Sequence, residues 1–166
     1  MMLWEAFDKN EISILIMNVI AYIILLFLLH KFRRDITVLI LIIGFSIGVI
    51  YDFTIGGGLM DFYKLNDSNR YEVFDLIYYL LFAPFIYFFL YLYEALKINK
   101  VTFIWYVLAW ALFGVLMQWF LTVVEVIEYQ KGYKLTFSFS VFLVTQTVTG
   151  LYYEFIKSRV EVLKSK

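Results

Sequence analysis

Five apolar runs, each long enough to cross a bilayer as a helix, leave this chain few ways to fold. They cover residues 12–29, 36–55, 73–96, 101–127 and 135–156. A helix of about 20 apolar residues spans about 30 Å of hydrocarbon. The runs are continuous rather than alternating, which is not the pattern of an outer-membrane strand. With 63% hydrophobic and 17% charged residues, a 166-residue chain holds more apolar surface than one small water-soluble core can bury. The sequence therefore predicts an all-α fold: one membrane domain over residues 1–166, an integral bundle of five transmembrane helices in contact with the lipid bilayer.

The connections between the runs are short, and their charges set an orientation. Lys31, Arg33, Arg34, Lys97, Lys100, Lys157, Arg159, Lys164 and Lys166 fall on one side, nine in all, against five (Lys9, Lys64, Arg70, Lys131, Lys134) on the other. Positively charged loops stay cytoplasmic. The expected N-terminus is therefore outside and the expected C-terminus cytoplasmic. Zero net charge gives no basic excess for nucleic acid. The lack of cysteine removes disulfides, thiolate metal sites and a cysteine nucleophile. Neither a metal nor a cofactor is expected.

In lipid, helices associate through close packing and buried polar contacts, so small and polar residues mark inward faces. The second run contains Gly44-Phe45-Ser46-Ile47-Gly48, and Asp52 falls one turn further along the same ridge. Gly114, Gln118, Thr122 and Glu125 lie within about 80° of one another on a helix. Phe142, Gln146, Thr149, Gly150 and Tyr153 share a face of the last run. Asn18 and Tyr22 sit one turn apart in the first run, as do Asp75 and Tyr79 in the third.

The carboxylates gather toward the expected outer half, while no Lys or Arg lies inside any run. A buried carboxylate there must use a loop cation such as Arg70 or Lys131, bind a cation from solution, or stay protonated, because an unpaired charge at mid-membrane costs about 2.5–3.5 kcal/mol or more. Asp52, Asp75, Gln118, Glu125 and Tyr79 are the candidate ligand-binding residues, with Asp52 foremost. The plainer alternative is that Asp75, Glu125 and Glu128 reach the surface and only Asp52 is buried.

The third run is rich in aromatic residues and holds the one proline, Pro84. Proline frees the carbonyl four residues earlier, here Leu80, and kinks the helix. Tyr87 lies near the middle of the run, where its hydroxyl needs a partner. Such a helix can wall a pocket for a flat or cationic ligand, or serve packing and lipid contact alone.

Other motifs do not carry chemistry. Gly44-Phe45-Ser46-Ile47-Gly48 fits the G-x-S-x-G pattern of serine hydrolases, but that motif requires a strand-to-helix turn with His and an acid at hand. Tyr51-Asp52 followed by Gly58-Leu59-Met60-Asp61 departs from the intramembrane aspartyl proteases at Met60. His30 stands beside Lys31, Arg33 and Arg34 as an ordinary interfacial histidine. Gly56-Gly57-Gly58 has no following Lys-Ser/Thr for a phosphate loop and reads as a flexible exit from the second helix.

The chain resembles an uncharacterised family of small multi-pass membrane proteins from spore-forming bacteria of the Bacillus and Clostridium type. The resemblance rests on Tyr51-Asp52, Phe82-Ala83-Pro84, Glu125, the turn Tyr129-Gln130-Lys131-Gly132-Tyr133 and the closing Leu151-Tyr152-Tyr153. It implies a plasma-membrane location and carries no mechanism. The leading functional expectation is a non-enzymatic subunit or accessory of a membrane assembly, with a membrane-protein partner or a second copy of itself. The alternative is a carrier or sensor of a small cation or amine at an outward-facing carboxylate and aromatic site. A third reading is an enzyme acting on a lipid-like substrate through Asp52, Asp75 and Glu125.

Overall fold

A computed structural model describes residues 9–66 and 72–159; Arg70, Lys164 and Lys166 lie outside the described residues. The chain forms α1 (Lys9–Leu28), α2 (Arg34–Thr54), β1 (Tyr63–Leu65), α3 (Val73–Leu80), α4 (Phe82–Ala95), α5 (Phe103–Val123), β2 (Ile127–Tyr129) and α6 (Leu135–Arg159). With α3 and α4 taken as one broken span, five helices are long and apolar enough to cross a membrane. Their outward faces are apolar, with Phe27, Trp105 and Leu26 among the most exposed side chains.

The bundle has two lobes. In the first, α2 packs along α4 and α3, and α1 lies across α3 and α4; in the second, α5 packs along α6. The lobes are tied at both ends. At one end β1 and β2 pair antiparallel, with Lys64 opposite Glu128. The ladder is extended by Gln130 N–H to Phe62 O (2.8 Å) and Asn66 N–H to Val126 O (3.0 Å). At the other end the Tyr106 ring meets Phe89 and Tyr93, and Tyr153 meets Phe32 and Tyr93, all at centroid distances of 5.1–6.0 Å.

The glycine ridge of α2 forms the tightest helix crossing. A Cβ on Gly44 would lie 2.7 Å from Ala83 Cα and from Phe82 O, and one on Gly48 would lie 2.8 Å from the Phe82 ring. The two glycines of the G-x-S-x-G pattern are thus used to let backbones approach.

The proline break is where α1 docks. The Leu81 N–H turns back to Tyr78 O, three residues away, at 3.0 Å. That leaves Ile77 O without its α-helical donor, and Pro84 cannot donate to Leu80 O. Asn18 Nδ2 donates to Ile77 O at 3.1 Å, and the Tyr22 hydroxyl donates to Leu80 O at 3.0 Å. The one-turn spacing of Asn18 and Tyr22 matches the two freed carbonyls. The Tyr87 hydroxyl in turn donates to Leu28 O, at the end of α1, at 2.8 Å.

Two expectations need correction. The fourth run does not stay helical to residue 127: α5 ends at Val123, with Glu125 left-handed at φ 64°. Glu125 N–H bonds Thr122 O and Val126 N–H bonds Leu121 O, the paired closure of a Schellman motif. Residues after it enter β2, so the bundle carries a ribbon that the apolar runs do not announce. Gly56-Gly57-Gly58 is a tight turn rather than a flexible exit. A Cβ on Gly56 would lie 2.3 Å from Asp52 Oδ1, and one on Gly58 would lie 2.0 Å from Phe53 O.

Candidate functional site

Asp52 and Tyr79 come together. The Tyr79 hydroxyl donates to Asp52 Oδ2 at 2.6 Å, and the Gly57 backbone N–H donates to the same carboxyl group. Asp52 is 3% exposed, and among the described residues no cation pairs with it. It holds the α2 turn against α3. Tyr63, on β1, stacks on Tyr51 and closes over this region with a centroid distance of 5.7 Å. Burial raises the Tyr63 hydroxyl well above its ordinary pKa, and burial raises Tyr129 to about 12. Both therefore stay neutral at physiological pH.

Asp75 is bound into local structure. Its Oδ2 accepts the Glu72 N–H at 2.8 Å in a capping box that starts α3, and its Oδ1 accepts Asn66 Nδ2 at 3.0 Å. The box supplies acceptors to donors that no helix start can satisfy internally.

Glu125 stands apart from Asp52. Its side chain is 75% exposed and pairs with Lys9 at 3.4 Å. Glu128 pairs with Lys64 at 2.6 Å, and Lys131 pairs with Asp61 at 2.8 Å. Among the described residues, no group of three or more His, Asp and Glu converges to hold a metal.

Gln118 belongs to another feature, a cleft of about 370 Å³ between the lobes. Its walls come from α1 (Met17, Ala21), α4 (Phe85), α5 (Phe113, Met117) and α6 (Phe142). Phe142 is seated against Gly114, where a Cβ would fall 2.9 Å from its ring. Phe142 also stacks on Tyr51 at 6.1 Å, so one aromatic stack links α6 to α2. Gln118 and Gln146 line the cleft at 2% and 1% exposure. Gln118 Oε1 accepts the Tyr51 hydroxyl at a long 3.5 Å. Gln118 Nε2 and Gln146 Oε1 have no hydrogen-bond partner among the described residues.

The candidate residues of the sequence thus divide four ways: Asp52 with Tyr79, Asp75 at a helix start near them, Gln118 at the cleft, and Glu125 on the outside. Gln146 is missing from that set, although it shares a face with Gly150 and Phe142. A glutamine among threonines on a packing face looks like an ordinary interhelical contact until the space beside it is seen.

Fold and site together define an α-helical bundle with a buried Asp52–Tyr79 pair and an apolar cleft between its lobes. Compared with protein-family models, with curated proteins and with solved structures, the chain finds no match.

Proposed function

We propose that this chain is a non-enzymatic multi-pass plasma-membrane protein that serves as a subunit or accessory of a membrane assembly. The observation that carries the reading is the free side of α6. This helix is the least apolar of the five and packs chiefly on α5. Thr136, Ser140 and Thr147 lie within about 40° of one another on the side turned away from α5. Thr136 and Ser140 are exposed and Thr147 half-buried. The Thr147 hydroxyl donates to Leu143 O within α6 at 2.7 Å, and small hydroxyl-bearing residues are enriched where helices meet in membranes.

A photo-crosslinking amino acid placed at Ser140 or Thr147 should give one discrete adduct in native membranes. The same group at Val148, on a different side, should not. Monomer alone at all three positions rejects the assembly. The proposed sidedness puts the ribbon end outside and the α4–α5 turn in the cytoplasm. The chain has no cysteine, so single cysteines report cleanly. Lys131→Cys should react with an impermeant maleimide on intact cells, and Lys100→Cys only after permeabilisation. The reverse pattern rejects the orientation.

A further inference from the structure

We propose that the cleft between the lobes binds one neutral single-chain lipid bearing a hydroxyl group, held by Gln118 and Gln146. The site is independent of the assembly reading above. The space, about 370 Å³, sits at the lower end of the ≈ 300–1,000 Å³ range of ligand pockets, which suits one chain rather than two. No Asp, Glu, Lys, Arg or His lines it, so a charged headgroup would find no partner there. Besides the hydroxyl-bearing Tyr51, Tyr78 and Thr145, the polar residues that line it are two side-chain amides. One has an unused donor and the other an unused acceptor. As placed, the pair presents one donor and one acceptor, and turning both amides over exchanges these roles while keeping the pair complementary. A hydroxyl both donates and accepts, and it can answer both amides.

The cleft is also reachable from the side. Ile20 and Ile24 of α1 and Phe113 of α5 line it, yet they are 53%, 44% and 42% exposed. They mark a mouth between α1 and α5, which are joined at one end, where Lys9 Nζ donates to Val123 O at 3.1 Å. An apolar molecule can therefore enter from the surface that faces lipid. One unmatched group on each of two buried amides is costly in an apolar space, and a bound hydroxyl removes that penalty.

The test is photolabelling of the full chain in nanodiscs with a diazirine-bearing 1-hexadecanol, with adducts mapped by mass spectrometry. Adducts should fall in α1 near Ala21 and in α5 near Met117. Unlabelled 1-hexadecanol and 1-monooleoylglycerol should each compete, and their relative strength tells a free alcohol from a glyceride. Hexadecane should not compete, and methyl palmitate, which only accepts, should compete weakly. The near-isosteric double variant Gln118→Met with Gln146→Met should reduce labelling about tenfold, as expected for two lost hydrogen bonds. Ala21→Phe fills the cleft, leaves both amides in place and should also lose the label. Hexadecane competing as well as hexadecanol, or undiminished labelling in both variants, would show a gap filled by any lipid tail and overturn the proposal. Absence of mapped adducts in the wild type would leave water as the partner of the amides and overturn it too.

Discussion

A buried carboxyl group with no cation beside it must collect donors, and Asp52 collects a phenol and a peptide N–H. Tyr79→Phe removes the phenol and leaves the carboxyl group with one partner fewer. The expected loss is about 1–3 kcal/mol, read as a lower unfolding midpoint in detergent or nanodiscs. Glu125 behaves in the opposite way. It holds a left-handed backbone position that glycine occupies without a Cβ clash, and its side chain is largely in solvent. Glu125→Gly should therefore raise stability by about 0.5–1 kcal/mol in the same measurement, even though the ion pair to Lys9 is lost. The burial of Asp52 was legible because Gly44 and Gly48 fix the ridge on which it lies. The role of Glu125 was not, since a helix that ends on a non-glycine residue gives no local sign of stopping.

Among the elements, the broken third span shows local chemistry answering itself at a distance. Pro84 and the tightened Leu81 turn release two carbonyls, and α1 brings a donor to each. A double-mutant cycle checks this link. Tyr22→Phe should cost about 1 kcal/mol when Pro84 is present and clearly less in Pro84→Ala, where Leu80 O regains a backbone donor. Equal costs in both backgrounds would sever the two residues. The kink and the freed Leu80 carbonyl follow from one proline, so they can be read in advance. The ribbon cannot. Strands of three residues are too short to display a period of two, and β2 follows directly from an apolar run, which pulls a reader toward more helix.

At the scale of the molecule, two lobes are fastened at opposite ends with the cleft between them. Lys64 and Glu128 are the central pair of the ribbon, flanked by the bonded pairs Phe62–Gln130 and Asn66–Val126. Alternation in an antiparallel ladder makes the central pair a hydrogen-bonded one as well. Glu128→Pro removes that N–H, and it should lower the unfolding midpoint and split one transition into two as the lobes part. Glu128→Gln breaks only the exposed ion pair and should shift stability by less than about 1 kcal/mol with a single transition retained. A single unchanged transition in the proline variant would mean that the aromatic contacts at the far end suffice.

The ribbon also imposes an order on biosynthesis. Chains are made from the N-terminal end, so Tyr63 emerges long before Tyr129, its partner in register. Until α5 has been made and Tyr129 follows, the first lobe must wait with one edge of β1 unmatched. Pairing is therefore a late event, and the lateral mouth between α1 and α5 comes into being only when the second lobe arrives to form its far wall.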